Sequence, residues 1–227
     1  MHRIHTAILA GLTALFASTS AHAVIILGAT LTNAAENPPT VPTLVGGAPR
    51  PASFGTASFV LNDAQTAMTM SATITNIDVT GMQTADTNDN LVAAHIHAAA
   101  NVTPTVNGPV VWGFFGNPDN DNNPDDLVVT PFATGVGGTF MSKWDLNEGN
   151  STPTNPNVTL TTQLPFILTQ RSYINFHTTQ FGGGEIRGTL IVLSVPEPST
   201  IALLALAALS LIGLGWHRRA MPRPIAG

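Results

Sequence analysis

His95 and His97 stand two residues apart in Ala94-His-Ile-His97, and His177 ends the run Tyr173-Ile-Asn-Phe-His177. On an extended strand successive side chains point to opposite faces, so His95 and His97 emerge together while Ile96 takes the other side. By the same rule His177 shares a face with Tyr173 and Asn175, against Ile174 and Phe176. The apolar partners define the core face and leave the imidazoles on the outer one. His2, His5, His22 and His217 lie near the two ends, so every histidine of the central region falls in these two motifs. If the two strands are neighbours, three imidazoles could form a Zn²⁺ or Cu²⁺ site. A second reading has them hydrogen-bonding as a brace between strands, with Glu185 and Arg187 as an ion pair. Both readings stand on the sequence.

The elements that must position these residues read as β-strands. Candidates are Ile25–Leu31, Gly55–Leu61, Ala67–Ile77, Leu91–Ala98, Val110–Phe115, Gly138–Trp144, Ser172–Thr178 and Glu185–Leu193. In Ala67–Ile77, Met68, Met70, Ala72 and Ile74 point one way and Thr69, Ser71, Thr73 and Thr75 the other. Stretches rich in Gly, Asn and Pro at Asn37–Pro51, Asn117–Pro124 and Asn147–Asn157 punctuate the strands. Val158–Leu168 reads as a short helix weakened by Pro165. Many short strands with such loops predict an all-β, Greek-key antiparallel β-sandwich or barrel, immunoglobulin-like or superoxide-dismutase-like.

The charge balance narrows the chemistry. Between residues 24 and 194, four Arg or Lys face twelve Asp or Glu, a formal −8. Such a surface is a poor nucleic-acid partner, because that affinity depends on neutralising phosphates. One acidic run, Asp119-Asn-Asp121-Asn-Asn123-Pro-Asp125-Asp126, alternates oxygen ligands as the first half of a calcium loop does. Pro124 stands where such a loop needs glycine and Thr130 where it needs glutamate, so a solvated acidic loop is the simpler reading and Asp119, Asp121, Asn123 and Asp125 a minor calcium candidate. There is no cysteine nucleophile and no Gly-x-Ser-x-Gly, and the acids scatter through loops. A binding module rather than an enzyme is expected.

The ends carry a different message. Met1-His-Arg3, the apolar stretch Ala7–Phe16 and Ala21-His-Ala23 read as a secretory signal peptide over 1–23. At the other end, Val195-Pro-Glu-Pro-Ser199 precedes the uncharged run 200–216 and then a basic tail, 217–227, with Arg218, Arg219 and Arg223. The run's 17 residues sit at the short end of the roughly 17–25 that span a bilayer as a helix, and the arginines hold that end in the cytoplasm. The arrangement resembles the PEP-CTERM sorting signal, with Pro196, Glu197 and Pro198 as its motif. That resemblance implies export, recognition by an exosortase-type membrane protease, and an inner-membrane-anchored precursor bound for the outer surface or the extracellular matrix.

The central region, 24–194, carries a second resemblance. Leu31-Thr-Asn-Ala-Ala-Glu36-Asn-Pro-Pro39, Gly55-Thr-Ala-Ser-Phe59, Ala94-His-Ile-His97 with Asn107-Gly-Pro-Val-Val111, and Tyr173–Thr178 through Gly184-Glu-Ile-Arg-Gly188 occur in the order seen in CHRD domains. The resemblance makes Glu36, His95, His97, His177, Glu185 and Arg187 family motif positions. It implies an extracellular interaction module whose partners would be matrix polysaccharide or surface proteins. Copper–zinc superoxide dismutases also present histidines two apart on a strand, but they use more histidines and a disulfide than this chain can supply.

Overall fold

A computed structural model describes residues 24–194 and, beyond them, Leu209 alone. The expected signal peptide, the hinge with Pro196, Glu197 and Pro198, the basic tail and, Leu209 apart, the membrane helix lie outside the described residues. Among the described residues no helix is long and apolar enough to cross a membrane.

The strands are β1 (Ile25–Thr32), β2 (Phe54–Leu61), β3 (Ala67–Thr75), β4 (Leu91–Ala98), β5 (Val110–Phe115) and β6 (Val128–Pro131). They continue with β7 (Gly137–Asp145), β8 (Ser172–Thr178), β9 (Ile186–Thr189) and β10 (Ile191–Ser194). The eight expected strands all form. The last is divided at Leu190, whose amide bonds Ser172 O while β10 crosses to pair with β1. β6 was not foreseen: it is short, largely exposed and carries Pro131, as suits an edge strand. Helix α1 (Leu160–Ile167) follows Thr159, which caps it reciprocally with Thr162. It buries Leu160, Leu164 and Ile167, while Pro165 faces solvent.

Binary patterning builds the wall behind the site. β2 alternates exposed and buried residues without a break, and Met68, Met70, Ala72 and Ile74 of β3 are the buried set. All strand pairings are antiparallel. They make one sheet in the order β5-β4-β8-β9-β1-β2-β3-β7-β6, with β10 also on β1. β9 and β1 meet at a single pair, Thr32 with Arg187, and the two ends of the sheet pack face to face. Trp112 of β5 then stacks on Trp144 of β7, 5.4 Å between ring centres and 2° between planes. Phe176 of β8 meets Phe140 of β7 edge-on at 5.2 Å. The antiparallel all-β expectation therefore takes the form of one curled sheet. Its core lies between facing halves, and each buried aromatic contributes about 1.5–3 kcal/mol.

β4 and β8 break the alternation. All seven residues of β8 are buried, as are the last six of β4. Ile96, Ile174 and Phe176 fill the core, and the histidines take the opposite face, as alternation requires. That face is not open to solvent, however: His95, His97 and His177 are only 4%, 8% and 7% exposed. Loops carrying Gly108, Asn117 and Gly182 lie against the rings, so the outer face of the sequence reading is an interior.

Candidate metal centre

Register brings the three rings together. β4 and β8 pair His95 with Asn175, His97 with Tyr173 and Ala93 with His177. His177 thus lies diagonal to His95, two residues along the strand, opposite the small Ala93. On the other side of β4, His95 pairs with Gly113 of β5. A Cβ on Gly113 would stand 1.8 Å from Pro118 O and 3.1 Å from the His95 ring. Only glycine lets the loop after β5 settle here, where Asn120 N donates to Gly113 O at 2.8 Å. A glycine inside a strand is the one sequence signal that marks this close approach.

Each ring has one nitrogen bound to a main-chain carbonyl. His95 Nε2 donates to Asn117 O (3.2 Å), His97 Nδ1 to Gly108 O (2.9 Å) and His177 Nδ1 to Gly182 O (3.0 Å). These carbonyls belong to three different loops. With those protons placed, the lone pairs fall on His95 Nδ1, His97 Nε2 and His177 Nε2. His95 Nδ1 and His177 Nε2 are 3.0 Å apart, and one nitrogen from each of the three rings lies within 4.8 Å of the others. Among the described residues, no other trio of His, Asp or Glu offers ligand atoms this close. His97 also stacks on Tyr173, 4.6 Å between centres and 6° from parallel.

Burial keeps these rings uncharged. It pushes His95 down to about 3, with the neighbouring His177 adding to the effect. It pushes His97 down to about 4, against the pull of the Gly108 carbonyl. His177 is lowered by burial as well. Neutral imidazole is the form that ligates metals.

A family profile described as CHRD domain matches residues 27–190, which takes in every strand around the three histidines. The chain belongs to the CHRD family. A second profile, the PEP-CTERM protein-sorting motif, matches residues 194–219. It implies an exported protein, anchored in the membrane as a precursor and handled by exosortase. Comparison with curated proteins and with solved structures returned no match.

Glu36, Glu185 and Arg187, the other residues that the family resemblance pointed to, do not hydrogen-bond the histidines. Glu185 and Arg187 do not pair, contrary to the ion pair expected between them. Glu185, fully buried, binds Arg50 at 2.5 Å and accepts from Ser53 Oγ and Thr178 Oγ1. Two positions apart on the chain, Arg187 is directed elsewhere: its guanidinium donates to Asn107 Oδ1 (2.7 Å) and to the Thr103 and Pro104 carbonyls, and it lies 4.3 Å above the Tyr173 ring. It thereby ties down the loop that supplies Gly108. Glu36 lies at the edge of the site, accepting from Asn37 N and from Asn175 Nδ2, and burial raises its carboxyl above the usual range.

The acidic loop of the domain is held by its own hydrogen bonds. Asp119 accepts from Asp121 N and Asp125 from Leu127 N. Asp121 turns inward, accepting from Ser142 Oγ and Asp126 N, and burial pushes it up to about 6. Asn122 N and Asn123 N both donate to the buried Glu148. Arg50 and Glu148, which hold two of these clusters, were not singled out from the sequence, since nothing in their local spacing distinguishes them.

Proposed function

We propose that this is an exported transition-metal-binding module, holding copper or zinc through His95, His97 and His177 and acting by binding at the outer surface or in the extracellular matrix. The observation that carries the reading is the shared wiring of the three rings. Each donates its spare N–H to a backbone carbonyl, the arrangement that fixes ring tautomer and orientation around a bound metal. A simple brace would have at least one ring donating to another. Here His95 and His177 meet lone pair to lone pair, an arrangement that a shared cation relieves.

Neutral imidazole nitrogens suit copper and zinc alike. Calcium at Asp119, Asp121, Asn123 and Asp125 is the weaker candidate, since Asp121 already faces Ser142. The sorting motif supports the destination, and matrix polysaccharide or a surface protein is the partner class in keeping with it.

The test is metal analysis of purified protein after exposure to Cu²⁺ and Zn²⁺, beside a His95→Ala/His177→Ala variant. One equivalent of metal in the wild type, lost in the variant, is expected. Wild-type protein that stays empty, together with a variant that only loses stability, would assign the histidines to bracing.

A further inference from the structure

Asn175 occupies the centre of the same face. It sits in the middle of β8, paired with His95 on one side and Arg187 on the other, and is 1% exposed. Its side-chain Nδ2 points to Glu36 Oε2 at 3.4 Å, so Oδ1 points to His97 Nε2 at 3.2 Å. The other nitrogen of His97 already donates to Gly108 O, so Nε2 and Oδ1 are two acceptors facing each other. With His95 Nδ1 and His177 Nε2 at 3.0 Å, the face holds two such pairs of facing acceptors, all four on buried side chains. Unrelieved buried polar groups are costly, and four acceptors are what a cation requires.

Resting on the three-histidine reading, we infer that Asn175 Oδ1 is the fourth metal ligand, aimed by Glu36. Glu36 is a positioning residue in this scheme. Its carboxylate holds the amide nitrogen and so turns the oxygen inward, and it sets a negative charge one residue behind the ion. Space for the pair comes from Gly184, where a Cβ would come within 2.2 Å of Asn175 Nδ2 and 2.6 Å of Glu36 Oε2. Gly184 also adopts a φ of +124°, which side-chain-bearing residues rarely reach. Arg187 is committed to Asn107, Thr103 and Pro104, which leaves the Glu36 carboxylate to Asn175 and Asn37.

The experiment is Cu²⁺ titration of the full chain with electron paramagnetic resonance, comparing wild type with Asn175→Ala, Asn175→Asp and Glu36→Gln. Asn175→Ala should still take one copper on three nitrogens, with affinity about 10- to 100-fold lower and altered g and hyperfine values. Asn175→Asp keeps the shape, and should recover affinity while showing a third, distinct spectrum from its anionic oxygen. Glu36→Gln should weaken binding several-fold while leaving the spectrum close to wild type. Copper bound by wild type and by both Asn175 variants with one affinity and one spectrum would overturn the assignment while the three-histidine site stood. Should Asn175→Ala fail to fold, an unchanged spectrum in Asn175→Asp would overturn it equally. A wild type that binds neither copper nor zinc removes this inference along with the reading beneath it.

Discussion

His95 Nδ1 lies 3.0 Å from His177 Nε2, while the far nitrogen of each ring donates to a carbonyl of a different loop. Two strands thus deliver the ligand atoms and two loops decide which atoms those are. The site is specified by parts of the chain far apart in sequence.

Metal affinity should be nearly independent of pH between about 8 and 6. Protons compete with a metal only near the pKa of its ligands, and burial has moved His95 to about 3 and His97 to about 4. Isothermal titration across that range checks this. A tenfold loss by pH 6, typical of exposed histidine clusters, would contradict the buried arrangement.

Without metal, the same shifts make the fold acid-sensitive. The unfolded chain protonates these histidines near 6.5 and the folded one resists to about 4 at His97. For His95 and His97 the contribution is therefore complete well above 6.5 and is lost as the pH falls below it, at up to about 1.4 kcal/mol per pH unit for each. Asp121 has the opposite sign. Raised from 3.8 to about 6, it favours the fold at low pH and loses that contribution as the pH rises through 6. Urea titrations at pH 7 and pH 5 should show a pH slope shallower in His97→Gln than in wild type by about 1 kcal/mol per unit over that interval.

Gly113→Ala should destabilise the protein by about 1–3 kcal/mol or more through overpacking, because its Cβ would collide with Pro118 O. Moving that loop also takes Asn117 O from His95. Metal affinity should therefore fall along with the denaturation midpoint, whereas Gly182→Ala, where a Cβ meets nothing within 4 Å, should change stability far less.

Glu185→Gln should cost about 3–5 kcal/mol, since Arg50 would be left charged and unpaired in the interior. Chemical denaturation measures it. Arg187→Gln should cost less and act instead on the loop at residues 103–108, read as faster amide exchange there.

Replacing Pro196, Glu197 and Pro198 by alanines should leave the melting temperature of the CHRD domain unchanged and cause the membrane-bound precursor to accumulate. Cell fractionation and immunoblotting decide it; normal release would sever the matched sorting motif from processing.

Alternation located the strands and named the right face for each histidine, because one-sided burial writes itself into sequence with a period of two. Met68, Met70, Ala72 and Ile74 show how clean that record is. It does not say which strands pair, so the diagonal contact of His177 with His95 became visible only with the β4–β8 register. Nor does it foretell what covers a face. Histidines on the polar side of β4 looked solvent-facing because the loops that cover them have no periodicity of their own. Glu185 was matched to its near neighbour Arg187, although the closer charge in space arrives from Arg50, far back along the chain. β6 left no pattern, since a four-residue edge strand ending at Pro131 buries too little to produce one.

β1 is the first strand of the sheet, and its edge opposite β2 is filled by the last two, through Thr32 with Arg187 and Leu27 with Val192. A chain threaded out of the cytoplasm from its N-terminus presents β1, β2 and β3 early and waits for β8, β9 and β10. Contacts that span nearly the whole sequence form late and slowly. The histidine cluster has no existence until residue 177 has crossed. If the chain crosses unfolded, any ion held by the three histidines as proposed is acquired after transport, on the far side of the membrane.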